Sequence, residues 1–307
     1  MTAKIFIDGE VGTTGLQIRN RLAGRDDIAL IQLDEANRKD IGARQAALQE
    51  ADISILCLPD AASIEAVKLA DGKTRFIDAS TAHRVHPDWV FGFPEMTEGQ
   101  RQQIEKAQFV TNPGCYSTGA IALLRPLQEA GFLPTDFRAS INAVSGYTGG
   151  GKQMIAEFEG DTGSDYFVYG LQQMHKHLPE IVRFCDLREQ PVFVPSVGDF
   201  AQGMAVQVPL HLAMLAGAPD IAALHSVLSK HYAGQANIQI RALDAVPDRI
   251  NPQAHNGSNI LEITLAGDAK TGRVVLLAVL DNLGKGASGA AVQSLNLMLG
   301  KPENTGL

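Results

Sequence analysis

Ala3-Lys4-Ile5-Phe6-Ile7-Asp8-Gly9-Glu10-Val11-Gly12-Thr13-Thr14-Gly15 sets a short apolar run directly before evenly spaced glycines, and Leu16, Ile18 and Leu22 continue as one face of a helix. Strand, glycine turn and helix in that order open a parallel sheet. Glycines at such a turn let backbone N–H groups approach a pyrophosphate, which sits on the positive end of the helix dipole. The spacing is G-x-x-G-x-x-G and not the dinucleotide fingerprint G-x-G-x-x-G, so these residues support either a nucleotide site or a plain tight turn. Further apolar runs, Ile28 to Leu33, Ile53 to Leu58, Phe76 to Ala79 and Gln108 to Thr111, alternate with helix-like segments. This predicts an α/β first domain with helices on both faces of a parallel sheet. The run containing Cys57 is apolar at nearly every position, as a doubly covered strand requires, and Cys57 reads as core.

Beyond about residue 136 the strands lengthen and the helices thin out, as in an α+β second domain. Ile238 to Leu243, Ile260 to Ala266 and Val274 to Leu280 are the strand candidates, the last two joined by a hairpin through Gly267-Asp268-Ala269-Lys270-Thr271-Gly272. Asp281-Asn282-Leu283-Gly284-Lys285-Gly286-Ala287-Ser288-Gly289 precedes a last helix with Val292, Leu295 and Leu299 on one face. Its glycines suit a loop that approaches another backbone or a ligand closely.

A chain of 307 residues with 45% hydrophobic content builds two domains, each with its own core. Thirty-four acidic against 26 basic residues, a net charge of -8 and no Lys/Arg block argue against nucleic acid as a partner. The longest apolar run, Val274 to Leu280, falls short of the roughly 20 residues that span a bilayer. The N-terminus enters a strand at once and lacks the apolar run of a signal peptide, so a cytoplasmic protein is expected. Three widely spaced cysteines fit a reducing compartment and neither a disulfide framework nor a zinc cluster.

The chemistry concentrates at Asn112-Pro113-Gly114-Cys115-Tyr116-Ser117-Thr118-Gly119, where a strand gives way to a helix predicted to run toward Gly131, kinked or shortened at Pro126. Cys115 as a first helical residue meets unpaired N–H groups and the helix dipole, both of which favour thiolate over thiol. A buried apolar cysteine is the alternative, but an inert core residue needs no Pro-Gly turn before it. His175 and His177 in Met174-His175-Lys176-His177-Leu178-Pro179-Glu180 are candidates for the proton donor and acceptor a thiolate enzyme needs, or are surface histidines. No strong ligand spacing supports zinc at His175, His177 and Glu180, and no metal is expected. Ser145-Gly146-Tyr147-Thr148-Gly149-Gly150-Gly151-Lys152 suits an oxyanion or phosphate, though it lacks P-loop spacing and is otherwise a surface loop. Arg84 offers a guanidinium for a phosphate or is a surface arginine. Asp34 stands where an acid holds the ribose hydroxyls of NAD, whereas Arg38 and Lys39 suit the 2′-phosphate of NADP.

Taken together, Asn112 to Tyr116, His175-x-His177-x-Pro179-Glu180-Ile181, Phe91-Gly92-Phe93-Pro94-Glu95 and Asn282 to Gly289 resemble the N-acetyl-gamma-glutamyl-phosphate reductase family of arginine biosynthesis, in its shorter subgroup, over nearly the whole chain. The segment ending in Lys152 departs from the family's Ser-Gly-x-Ser-Gly-Ala-Gly-Arg. The resemblance implies a Rossmann-type NADP-binding domain, 1–114 plus 286–307, and an α+β catalytic and oligomerisation domain of the glyceraldehyde-phosphate and aspartate-semialdehyde dehydrogenase type, 115–285. It implies NADP(H) as cofactor, held by Gly9, Gly12, Thr13, Thr14, Gly15, Arg38, Cys57, Leu58, Pro59, Ser80, Gly146 and Asn282. It further implies Cys115 as nucleophile, His175 as acid/base, and Arg84, Asn112, Lys152, His177 and Glu180 around a small-molecule substrate in a dimer or tetramer. The expected reaction is NADPH-dependent reduction of an acyl phosphate to a semialdehyde through a Cys115 thioester. Aspartate-semialdehyde dehydrogenase and a non-catalytic NADP-binding protein are the competing readings.

Overall fold

The computed structural model describes residues 2–160, 163–268 and 270–307, which fall into two compact units. The first comprises Met1–Pro94, Gly99–Pro113 and Ala287–Leu307; the second comprises Glu95–Glu98 and Gly114–Gly286.

The first unit is built on a six-stranded parallel sheet of β1 (Ala3–Asp8), β2 (Ile28–Ile31), β3 (Ile53–Leu56), β4 (Arg75–Asp78), β5 (Val90–Phe91) and β6 (Phe109–Thr111), in the order β2-β1-β3-β4-β6-β5. Alternation along β1 sends Ile5 and Ile7 to one face and Phe6 to the other. Ile5 and Ile7 join Ile18 and Leu22 of α1 (Thr13–Leu22) and Val292 and Leu295 of the last helix, Gly289–Met298. Phe6 joins Ala47 and Leu48 of α2 (Ile41–Glu50), Ala66 of α3 (Asp60–Leu69), Phe76 and Trp89. The short helix α4 (Gln100–Lys106) completes the unit with Ile104 in the first of these cores.

Several strands are shorter than the apolar runs that announce them. β2 stops at Ile31, not Leu33, because Phe6 is the last β1 residue to pair with it. β3 stops at Leu56, opposite Asp8, where β1 turns away at Gly9; Cys57 therefore lies just past the strand and is half-buried.

In the second unit α5 (Cys115–Glu129) packs on a seven-stranded mixed sheet. Its strands are β7 (Ser140–Gly146), β8 (Tyr166–Val168), β9 (Val192–Gly198), β10 (Met204–His211), β11 (Ile238–Ile240), β12 (Leu261–Asp268) and β13 (Arg273–Leu280), ordered β11-β12-β13-β10-β7-β9-β8. Helices α6 (Gly151–Phe158), α7 (Leu178–Phe184) and α8 (Ile221–His231) complete it, α7 and α8 packing on α5; the chain's last helix is α9. β11 stops at Ile240, opposite Ile263, rather than reaching Leu243, which opens a short helical turn. β12 and β13 pair antiparallel from Leu261↔Leu280 to Asp268↔Arg273; of the turn predicted between them, Ala269 lies outside the described residues.

Pro126 neither ends nor shortens α5, which runs on to Glu129. A proline there leaves the Ala122 carbonyl, four residues earlier, without its helical donor. The hydroxyl of Tyr232, just beyond α8, donates to that carbonyl at 2.9 Å. The break in the helix ladder is thus repaired by a neighbour.

Candidate active site

In the first unit the residues singled out for the cofactor gather at the C-terminal ends of adjacent parallel strands, where open α/β sheets bind their ligands. Gly9 to Thr14 follow β1, Cys57, Leu58 and Pro59 follow β3 and Ser80 follows β4; Asn112, expected at the substrate, follows β6. Gly9 has φ +90° and presses on the Cys57 carbonyl so closely that a Cβ would not fit. Gly12 caps α1 and brings no side chain to its first N–H groups, and no acidic residue lies in its first turn. An anion is therefore the natural partner of this helix start, so the residues present fit the pyrophosphate of a dinucleotide.

Asp78, fully buried at the end of β4, organises the next loop. Its oxygens accept from Ser63 Oγ at 3.0 Å, Ser80 N at 2.9 Å and Ser80 Oγ at 2.7 Å, and His83 Nδ1 lies 2.6 Å away. His83 stacks on Trp89 with ring centroids 4.1 Å apart. Of this buried knot the sequence pointed only to Ser80, as a cofactor residue; Asp78, Ser63 and His83 become its neighbours only when the strand ends align. Arg84 is 8% exposed and donates to the Ala79 carbonyl at 3.2 Å, so it is no surface arginine. Asn112 is buried, with its N–H 2.7 Å from the Asp78 carbonyl and its Nδ2 3.0 Å from the Ala287 carbonyl; its Oδ1 accepts no hydrogen bond among the described residues. Arg38, past β2, pairs with Glu35 at 3.4 Å, and the exposed Asp34 accepts the Asn37 N–H at 2.9 Å.

In the second unit Cys115 is the first residue of α5, with Gly114 as its cap, and is partly exposed. Glycine has no side chain to cap with. Glu180 of α7, 1% exposed, supplies the acceptor: its Oε2 takes the Gly114 N–H at 2.9 Å and the Ser117 hydroxyl at 2.6 Å. His175 and His177 stand with Tyr116, the chain neighbour of Cys115, at centroid distances of 5.7 and 5.8 Å. His177 is buried and His175 half-buried, against the surface-histidine alternative.

His175 Nδ1 accepts the backbone N–H of His177 at 3.2 Å, so the neutral ring carries its proton on Nε2. Nε2 lies 3.4 Å from the Tyr169 hydroxyl, which donates to Tyr116 OH at 3.4 Å; Tyr116 in turn donates to the Ser196 carbonyl at 3.0 Å. Burial pushes the Tyr116 phenol well up and that of Tyr169 to about 12, keeping both protonated. Tyr169 escaped the sequence reading because a lone tyrosine on a short edge strand's exit carries no motif.

Gly146 and Asn282 are drawn together differently. Asn282 Oδ1 accepts the Gly203 N–H at 2.8 Å and its Nδ2 donates to Thr148 Oγ1 at 3.3 Å, while the Gly146 N–H donates to the Gly203 carbonyl at 2.8 Å. Both thereby brace the Tyr147–Gly150 turn. Lys152, second residue of α6, is exposed.

A doubly covered parallel sheet with a glycine loop, followed by a helix that starts on a cysteine above a mixed sheet, defines a two-domain dinucleotide-dependent oxidoreductase. The sequence models of that class agree: "Semialdehyde dehydrogenase, NAD binding domain" matches residues 9–107 and "Semialdehyde dehydrogenase, dimerisation domain" matches residues 115–282. The chain belongs to the semialdehyde dehydrogenase family. It is 56% identical to the N-acetyl-gamma-glutamyl-phosphate reductase of Brucella suis over 98% of this chain and all of that one, and 55% identical to the Brucella ovis reductase over the same shares. Its fold matches aspartate semialdehyde dehydrogenase II of Vibrio cholerae with a TM-score of 0.71 at 14% identity, covering 97% of this chain and 98% of that one. The Candida albicans aspartate semialdehyde dehydrogenase, solved with NADP, matches at 0.68 and 14% over 97% and 99%. No helix among the described residues is long and apolar enough to cross a membrane.

Proposed function

We infer that this enzyme reduces N-acetyl-γ-glutamyl phosphate to N-acetylglutamate semialdehyde and phosphate with NADPH, the reaction its reductase relatives are named for. The observation that carries the mechanism is Cys115 standing as first residue of α5, its helix start clamped by Glu180. Cys115 attacks the acyl phosphate; the tetrahedral adduct expels phosphate and leaves a thioester on Sγ. The N–H groups of the α5 start offset negative charge developing at this end of the helix. NADPH, when bound, supplies the hydride that reduces the thioester. His175 lends its Nε2 proton to the oxyanion left on the substrate carbon and takes it back as the carbonyl re-forms and the C–S bond breaks, which releases the aldehyde and restores the thiolate. Tyr169 holds the His175 ring meanwhile, and the His177 N–H holds its tautomer.

Gly9, Gly12, Thr13, Thr14 and Gly15 suit the pyrophosphate, and Cys57 to Pro59 with Ser80 line the same strand ends. Arg38 suits the 2′-phosphate, with Glu35 as its resting partner. Gly146 and Asn282 serve the cofactor through the turn they brace. Arg84, Asn112, Lys152 and His177 are assigned to the anionic substrate. Glu180, whose Oε2 is bonded to α5, acts by holding the nucleophile. A cytoplasmic homo-oligomer, dimer or tetramer, fits the three thiols and the matched dimerisation domain.

The test runs the reaction backward with N-acetylglutamate semialdehyde, phosphate and either NADP or NAD, following absorbance of the reduced nicotinamide. Turnover with NADP, lowered by on the order of 10^3-fold in Cys115→Ser and by roughly 10^2- to 10^4-fold in His175→Asn, is expected. Preference for aspartate semialdehyde, or a Cys115→Ser variant of normal activity, refutes the reading.

A further inference from the structure

Glu95 and Lys285, neither of which has a part in the reaction above, meet in the second unit. Lys285 Nζ lies 2.8 Å from each carboxylate oxygen of Glu95, with the two side chains 1% and 0% exposed. Lys285 sits in a single π-helical turn, Gly284–Ser288, a rare wide turn that recurs at functional sites.

The next residue, Gly286, lies against the nucleophile. A Cβ on Gly286 would fall 2.8 Å from Cys115 Cβ and 3.3 Å from Cys115 Cα. Only bare backbone fits there. The turn is also pinned at its start by Asp281, fully buried, whose carboxylate accepts the N–H groups of Gly257 at 2.8 Å and Leu283 at 2.9 Å and whose carbonyl accepts the Gly286 N–H at 2.9 Å. A buried Lys–Glu pair is a poor way to gain stability, since apolar residues of similar volume commonly do as well or better. What an ion pair adds is direction: two oxygens and one ammonium fix where the turn sits.

We propose that Glu95 and Lys285 are positioning residues for the nucleophile, their ion pair fixing the π turn so that the Gly286 backbone holds Cys115 in register at the start of α5. This rests on the reading of Cys115 as nucleophile. The pair acts on Cys115 through Gly286.

The decisive variant replaces both charges together, Glu95→Leu with Lys285→Met, leaving no buried charge unpaired. Thermal melting, kcat, the KM for NADPH and the pH profile of Cys115 alkylation by iodoacetamide are compared with the parent enzyme. The expected result is a folded protein whose kcat falls roughly tenfold to hundredfold with the KM for NADPH unchanged. Cys115 is alkylated more slowly and at a higher pH midpoint as it loses its place on the helix N-terminus. A folded double variant with kcat and alkylation profile within about twofold of the parent overturns the proposal. Should the double variant fail to fold, Glu95→Asp, which keeps the charges but draws the carboxylate back by one methylene, decides by the same readouts. Alkylation needs no substrate, so a parent enzyme inactive on the acyl phosphate refutes the proposed reaction while leaving this test intact.

Discussion

Glu180 Oε2 accepts the Gly114 N–H at 2.9 Å, so a carboxylate from α7 caps the helix on which Cys115 is the first residue. The same oxygen takes the Ser117 hydroxyl at 2.6 Å. Cys115 and the acid that caps its helix thus lie on different helices of one unit, and the packing of α7 on α5 sets how that cap sits.

Glu180→Ala removes the acceptor and strands a buried N–H, which costs about 1–3 kcal/mol and lowers the melting temperature. Glu180→Gln keeps an oxygen in place and should retain most of that stability. Equal melting temperatures for Glu180→Ala and the parent would show that the cap contributes nothing.

Tyr232→Phe should destabilise by a similar about 1–3 kcal/mol, because the Ala122 carbonyl then loses its donor inside a packed helix. In a Pro126→Ala background residue 126 regains an N–H for that carbonyl, and the same substitution should cost less. A double-mutant cycle by chemical denaturation measures the difference, and strict additivity would contradict the repair.

Alkylation should be selective. Burial pushes the Cys57 thiol up to about 12, helped by Asp78 and Asp8, and pushes that of Cys185 up further. Neither forms appreciable thiolate near neutrality, so at about pH 8 iodoacetamide should modify Cys115 alone. Peptide mapping of the native protein reads the site, and Cys57 labelled at the rate of Cys115 would be the contrary result.

Asp8 at the end of β1 and Arg44 on α2 form a buried pair at 2.9 Å, with side chains 6% and 9% exposed. Burial raises the Asp8 pKa, and Arg44 opposes that rise. Since the folded state holds the Asp8 proton more tightly than the unfolded state, the carboxyl's contribution is most favourable below the ordinary aspartate range and is lost as pH climbs through the raised value. Arg44→Met removes the opposing charge, so stability near pH 7 should fall by about 3–5 kcal/mol and recover on acidification toward about pH 5. Denaturant midpoints at the two values check this; a loss that does not shrink in acid refutes it.

Although it left β5 and β7 to β10 unread, the sequence by itself determined the parallel sheet of the first unit, the β12–β13 hairpin, the glycine loop before α1 and the cysteine at the head of α5. Each is written in neighbouring residues: alternation in β1, apolar runs in β3, and Pro113-Gly114 ahead of Cys115. Strand ends were misjudged at Leu33, Leu58 and Leu243 because a strand stops where its partner does, and partners come from elsewhere in the chain. For the same reason only the tertiary structure decided that Glu180 caps α5, that Tyr232 mends the gap at Pro126, that His175 carries its proton on Nε2, and that Glu95 meets Lys285 across 190 positions. Buried polar groups must find partners, and no local rule of spacing says which distant residue will supply them.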